Sequence, residues 1–281
     1  MIFCIQLMRP TLNSTDLAPY KNLHGAKVVQ HPDVGPCFIC EGRYLVEDAV
    51  QAAGQGQLRL ISLLCDSKQA EGWKARIPRQ AQLLTLDSSE LDSLVGFKFH
   101  RGVLCCCAVP EEPSEAQVLQ TARLLVLPHL DDVDNLGQLS RTAAALGIDA
   151  MLIGKGPSPF ERRCVRVSMG AVWKIPILKC DKPERILDVW LQHNPNIESE
   201  IVGTAKTPSA ESAWEWVPAP RTALVLGQES CGLNAFWQSK CIKHVRIPLA
   251  RQIDSLNVSV AGAILMSNFV SKSKSKDTIL I

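Results

Sequence analysis

Arg123-Leu-Leu-Val-Leu127, Asn135-Leu-Gly-Gln-Leu-Ser-Arg-Thr-Ala-Ala-Ala-Leu-Gly147 and Ala150-Met-Leu-Ile-Gly154 are the three segments whose reading decides the fold class. The first and third are short apolar runs of strand length. The stretch between them places Leu139, Ala143 and Leu146 at helical spacing and closes on a glycine. A strand, a helix and a second strand within about 30 residues form a βαβ unit, and the strands of such a unit run parallel.

Working outward, the same alternation continues through KIPILKC from Lys174, PERILDVWLQH from Pro183, IESEIVG from Ile197, TALVLG from Thr222, HVRIPLA from His244 and SLNVSVAGAILMSNFV from Ser255. Repeated strand-helix alternation predicts a parallel sheet with helices on both faces over 118–272. Upstream, CFICEGR, YLVEDAVQAAG, LRLISLLC, AQLLTL, SSELDSLVGF and GVLCCCAV predict a small α/β domain over 35–108. Between the two lies VPEEPSEAQ, 109–117, with two prolines, three glutamates and no apolar period, which reads as a linker. Residues 1–34 read as a polar leader and 273–281 as a solvated polar tail.

Of 281 residues, 46% are hydrophobic and 21% charged, with Gly and Pro at 17 each, the profile of a soluble globular chain. No apolar run reaches the roughly 18 to 20 residues of a membrane span. MIFCIQLMRP lacks the basic region, apolar region and small-residue cleavage site of a signal peptide, so neither a signal nor an anchor is expected. The formal net charge is +2 and the pI about 8.0, so any nucleic-acid contact must come from a local patch. The eleven cysteines are dispersed and odd in number, and Cys105, Cys106 and Cys107 are consecutive. Strand neighbours point to opposite faces and cannot all be bridged, which predicts a reduced, cytoplasmic chain. Cys37 and Cys40 form a C-x-x-C with no second pair or histidine cluster beside it. They are expected to be buried strand thiols, and no metal is expected.

Three short motifs stand in one order. Asn135-Leu-Gly-Gln-Leu-Ser-Arg141 places Asn135 where a helix N-cap belongs, and Arg141 roughly opposite the face of Leu139 and Ala143. Gly227-Gln-Glu-Ser-Cys-Gly-Leu233 follows an apolar strand directly, and a glycine-rich turn outside the carboxyl end of a parallel strand is where open α/β sheets hold ligands. Ile247-Pro248 leads to Ser255-Leu-Asn-Val258 and a helix that is apolar nearly all round, with Ser255 a candidate N-cap. Such a helix is buried on more than one side, in a deep core or at a subunit interface. Alone, each motif also fits a plain structural role: a capped helix with a solvated arginine, a tight turn, a capped core helix.

Taken together they resemble the SpoU/TrmH branch of the knotted SPOUT RNA methyltransferases, whose motifs read N-x-G-x-x-x-R, G-x-E-x-x-G-L, and I-P followed by S-L-N-V-S-x-A. The stretch RRCVRVSMGAVWKIPI, with Ser168 and Gly170, also looks like the family's segment between the first two motifs, so the resemblance covers about 124–269. EGRYLVEDAV from Glu41 and HRGVLCCCAV from His100 are similar to the start and end of the ribosomal-protein-like substrate-binding domain of longer members.

The resemblance implies an α/β protein with a C-terminal trefoil-knotted domain, a case outside the general rule against knots. It implies S-adenosylmethionine held at Gly227, Ile247 and Leu256, and a reacting centre built from Arg141, Asn135, Glu229, Ser255 and Asn257. It also implies methylation of a ribose 2′-hydroxyl in RNA by a homodimer joined through its C-terminal helices; the extra N-terminal domain favours ribosomal RNA, with transfer RNA the alternative substrate. A guanidinium keeps its proton in proteins, so Arg141 is expected to orient the hydroxyl and stabilise alkoxide charge rather than act as a literal base. Arg43, Lys98, Arg101, Arg162, Arg163 and Arg166 are the basic residues available to RNA phosphates, with solvated surface the plainer role for each.

Two other functions fit parts of the sequence. A non-catalytic RNA-binding or ribosome-assembly protein could share the fold, but would have no physical need for Arg141, Glu229 and Asn257 together. A nicotinamide-dependent oxidoreductase would need G-x-G-x-x-G, and Glu229 stands where its second glycine belongs.

Overall fold

A computed structural model describes residues 7–23, 25, 28–99, 102–207, 209–228, 231–251 and 253–273. The chain divides into two compact units, Met1–Glu111 with Phe160–Trp173, and Glu112–Pro159 with Lys174–Ile281. Among the described residues no helix is long and apolar enough to cross a membrane.

The first unit contains β1 (Leu7–Met8), β2 (Val29–His31), β3 (Gly35–Glu41), α1 (Arg43–Gly54), β4 (Leu60–Asp66), α2 (Ala70–Lys74), β5 (Gln82–Leu86), α3 (Ser88–Val95) and β6 (Val103–Ala108). Its sheet has the order β1-β5-β4-β6-β3-β2. Strands β1, β5 and β4 run parallel, while β6, β3 and β2 join antiparallel.

The stretch read as a polar leader is part of this core. Leu17, Tyr20 and Leu23 recur every third residue around a 3₁₀ helix, Thr15–Tyr20, and all three are fully buried. The Tyr20 hydroxyl lies 2.8 Å from Ser62 Oγ, and burial raises its pKa well above the usual phenol value. A three-residue apolar period belongs to neither an α-helix nor a strand, which is why the stretch looked featureless in sequence.

The strand register separates Cys37 from Cys40. Cys40 lies opposite Cys105 in the β3–β6 ladder, and the Sγ atoms of Cys40, Cys105 and Cys107 lie within 4.8 Å of one another. Cys37 points to the other face, where it meets Cys106. Cys37 and Cys40 are both buried in β3, as expected of the C-x-x-C, and burial raises the thiol pKa values of Cys40 and Cys105.

Helix α6 (Arg162–Val167), in the first unit, follows β8 (Ala150–Lys155) of the second unit in sequence. The Phe38 ring lies 5.2 Å from Phe160 and 5.6 Å from Trp173, and Arg162 pairs with the buried Glu41 at 2.5 Å. A Cβ on Gly170 would come within 2.3 Å of the Trp173 ring, and at φ +82° only glycine turns freely there. Arg162 is thus committed to an internal ion pair rather than open to phosphate, and Arg43 pairs with Glu47 at 3.1 Å. Arg101 lies outside the described residues.

The second unit holds α4 (Glu115–Leu119), β7 (Arg123–His129), α5 (Val133–Leu146), β8 (Ala150–Lys155), β9 (Ile177–Lys179), α7 (Pro183–His193), β10 (Ser199–Thr204), β11 (Glu211–Ser212), β12 (Arg221–Val225), α8 (Ala235–Lys240), β13 (Lys243–Arg246) and α9 (Val258–Ser273). Its sheet is wholly parallel, in the order β11-β13-β10-β12-β7-β8-β9. Part of the expected linker is helical: Ser114 and Gln117 form a capping box that starts α4, and Val118 enters the core. Arg221, which stands just before the apolar run read from Thr222, is 3% exposed, stacks on Trp190 at 4.2 Å and donates to the carbonyls of Trp190 and Leu119.

Helices α5 and α9 pack against each other beside the sheet. Gly262 allows the close crossing, because a Cβ there would come within 2.5 Å of Leu139 Cδ2. Leu265, Met266 and Phe269 of α9 are buried, whereas Val260 is exposed and Ala261 and Ile264 are partly so.

Candidate active site

Helix α5 begins one turn earlier than its motif suggested. The Asp132 carboxylate accepts the Asp134 N–H at 2.6 Å and caps the helix, and Gly147 closes it at φ +78°. Asn135 is therefore inside the first turn rather than at the cap, and only 6% exposed. An acidic Asp-Asp pair three residues upstream took the capping role that Asn135 could also have filled. Arg141 lies on the exposed side of the same helix and makes no hydrogen bond or ion pair with a described residue.

The start of α9 corrects a second cap. Asn257, not Ser255, accepts from the first turn, taking the Ser259 N–H at 2.8 Å and the Val260 N–H at 3.4 Å on Oδ1. This fixes the amide's orientation, and Asn257 Nδ2 donates to Asn135 Oδ1 at 3.0 Å. Two residues 122 positions apart, one from each outer motif, thus meet side chain to side chain.

The middle motif forms a closed loop after β12. Gln228 and Gly232 exchange backbone hydrogen bonds of 3.2 and 2.8 Å, and Gly232 has φ +69°. Gly227 sits under this closure, where a Cβ would stand 2.3 Å from the Gly232 carbonyl carbon and 2.4 Å from the Leu233 nitrogen. No other residue type fits that backbone approach. The Gly227 N–H in turn points at Thr204 Oγ1, 3.4 Å away at the end of β10. Glu229 lies outside the described residues.

A cavity of about 680 Å³ opens at the carboxyl ends of β13, β10 and β12. Gly227, Ile247 and Leu256, the three residues expected to hold the methyl donor, all line it, and so does Ser255. Leu226 and Leu265 add aliphatic wall, and Thr204, His244 and Arg246 add polar groups. Its volume, and a lining that mixes aliphatic with polar and charged groups, suit one small organic molecule. Asn257 lies between Leu256 and Val258, both in the lining, which puts the Asn135–Asn257 pair beside the cavity. Arg141 is not part of the lining.

Sequence reasoning missed Thr204, His244 and Arg246. The signal was positional: Thr204 and Arg246 are the last residues of β10 and β13, where an open parallel sheet presents side chains to a ligand.

A family model described as the SpoU rRNA Methylase family matches residues 122–267. The chain belongs to that family. The match contains all three motifs and the whole cavity.

The chain is 38% identical over 175 residues to an uncharacterized tRNA/rRNA methyltransferase of Mycobacterium tuberculosis, a match covering 61% of this chain and 60% of that relative. It is 28% identical over 236 residues to RlmP of Bacillus subtilis, a 23S rRNA (guanosine(2553)-2'-O)-methyltransferase, covering 82% and 86%. Among solved structures it resembles the SpoU methyltransferase AviRb of Streptomyces viridochromogenes, with a TM-score of 0.76, 21% identity and 94% and 99% coverage. An AdoMet-bound rRNA methyltransferase of Sinorhizobium meliloti gives a TM-score of 0.75 at 21% identity, covering 98% and 99%. At these identities the two structures establish the fold of a SpoU methyltransferase.

Proposed function

We propose that this SpoU-family chain transfers a methyl group from S-adenosylmethionine to a ribose 2′-hydroxyl in structured RNA, with ribosomal RNA the substrate. The observation that carries the reading is the cavity of about 680 Å³ lined by Gly227, Ile247 and Leu256, with the Asn135–Asn257 pair beside it. The 2′-O-methyltransferase names of RlmP and of the 32%-identical RlmB of Acinetobacter baylyi favour ribose and ribosomal RNA. AdoMet in the Sinorhizobium relative favours that donor.

The donor supplies a methyl group already activated on a sulfonium. The chain's own work is to hold that group, align the hydroxyl with it and dispose of one proton. Gly227 admits the donor to close range of loop backbone, while Ile247, Leu256 and Leu226 form apolar walls that exclude water. Alignment alone contributes roughly 7 to 11 kcal/mol of barrier reduction in well-oriented systems. Arg141 is the residue we assign to the hydroxyl: its guanidinium orients the oxygen and stabilises the charge that develops as the proton leaves. Asn135, Asn257, Ser255 and Glu229 are assigned to complete the centre around the sugar.

The trefoil knot, the homodimer through α9, the RNA-binding role of the first unit and residence in a reducing cytoplasm belong to the same proposal. Calorimetry with S-adenosylmethionine tests the donor site. Binding with micromolar affinity is the expected result, and no heat from folded protein at millimolar donor would overturn the enzyme reading in favour of a non-catalytic RNA-binding protein.

A further inference from the structure

We infer that Ser259 and Gln138 form a positioning relay for Asn257, locking the Asn257 amide onto Asn135; the inference rests on the methyltransferase reading above. Gln138 occupies one of the unspecified positions of its motif, while Ser259 is the second serine of S-L-N-V-S-x-A, to which no role was assigned.

Ser259 is 4% exposed in the first turn of α9, and its hydroxyl has two oxygens at hydrogen-bond range. Asn257 Oδ1 lies 2.5 Å away and Gln138 Oε1, across on α5, 2.6 Å away. A hydroxyl has one proton and cannot donate to both. Asn257 cannot resolve the conflict by turning over, because its oxygen already accepts the Ser259 N–H and its nitrogen donates to Asn135. Gln138 is exposed and its amide is free to turn, and oxygen and nitrogen of an amide are assigned only through such networks. The consistent arrangement has Gln138 Nε2 donating to Ser259 Oγ, Ser259 donating to Asn257 Oδ1, and Asn257 Nδ2 donating to Asn135 Oδ1.

Every donor in this chain then has one acceptor, and the proton order runs one way, from α5 through α9 and back to α5. The relay does two things. It fills the lone pairs of Asn257 Oδ1, so that the Nδ2 side alone faces Asn135. It also stitches the N-terminal turn of α9, whose Val258 and Ala261 line the cavity, to the helix that carries Arg141.

The test uses the full chain with Gln138→Ala, Gln138→Glu and Ser259→Ala, measuring turnover, donor affinity and the Asn257 side-chain amide resonances by NMR. Gln138 is at the surface, so its variants keep the fold even where Ser259→Ala does not. Gln138→Ala should lower kcat about tenfold with donor Kd unchanged, and should have no further effect in an Asn257→Ala background. Gln138→Glu should be no better than alanine, because a carboxylate cannot donate and draws the Ser259 proton away from Asn257. Wild-type activity in Gln138→Ala, equal losses with and without Asn257, or rescue by glutamate would each overturn the relay. The Asn257 resonances should shift in Gln138→Ala without any donor or RNA, and their invariance would overturn it independently of activity. If they shift while the wild-type chain transfers no methyl group, the methyltransferase reading fails, and the catalytic purpose assigned to the relay fails with it.

Discussion

Replacing Gly227 by alanine puts a methyl carbon 2.3 Å from the Gly232 carbonyl carbon and 2.4 Å from the Leu233 nitrogen. Both contacts are backbone, so no side chain can swing away, and the loop must open by about 1 Å to reach the 3.4 Å at which ordinary contact begins. That opening acts directly on the Gln228–Gly232 closure, whose two hydrogen bonds contribute about 0.5–1.5 kcal/mol each. Overpacking of this kind costs about 1–3 kcal/mol. Released as a rearranged loop, it should weaken donor binding roughly five- to 150-fold. Held as strain in the folded chain, it should appear instead as a fall in Tm of about 2–4 °C per kcal/mol. Calorimetry with S-adenosylmethionine, paired with thermal unfolding of the same preparation, separates the two routes. Donor affinity and Tm both at wild-type values would refute the claim that the loop backbone is closed on Gly227.

Three further outcomes follow from the site and its helices. Arg141→Ala should leave folding and donor Kd nearly unchanged while cutting turnover by about two orders of magnitude, roughly 2.7 kcal/mol of barrier, and lysine should not rescue it because a point charge lacks the planar fork. Lost donor binding would make Arg141 structural, and near-normal turnover would remove it from the chemistry. A charged residue at Ile264, partly exposed on α9, should dissociate the proposed dimer and abolish activity together, read by light scattering and methyl transfer; a monomeric wild-type protein contradicts the dimer. Cys231 alone among the described cysteines is exposed, and burial pushes the thiols of Cys65 and Cys241 up to about 12. A thiol reagent at about pH 8 should therefore modify Cys231 and spare the buried cysteines until the protein is denatured, as peptide mapping would record.

The parallel sheet of the second unit was legible because branched runs such as Leu124–Leu127 are buried on both faces and carry an uninterrupted apolar signal. The donor-site residues were legible only through resemblance, since glycine, isoleucine and leucine say nothing chemical by themselves. Caps were misread where two candidates stood within a turn: Asp132 displaced Asn135, and Asn257 displaced Ser255, because local propensity does not choose between neighbouring polar residues. In both cases the displaced assignment hid something useful. Asn135 is buried because it is not a cap, and Asn257 is rigid because it is one.

Other features depended on long-range pairing that no local pattern encodes. The segment Phe160–Trp173 read as part of the C-terminal domain by its place in the chain, yet its aromatic residues pack on Phe38 of β3. Leu17, Tyr20 and Leu23 carried a three-residue period that a search for strands and α-helices passes over. Arg221 sits in a buried strand because its stacking on Trp190 and its bonds to two main-chain carbonyls offset the cost of desolvation, which lowers its pKa.

The central claim is ribose methylation of RNA, and its most direct test is transfer of a labelled methyl group from S-adenosylmethionine to ribosomal RNA, followed by digestion to nucleosides. The account predicts label in a single 2′-O-methylnucleoside, absent with Arg141→Ala. Label in a base-methylated nucleoside, or no label from a folded chain that binds the donor, would contradict it.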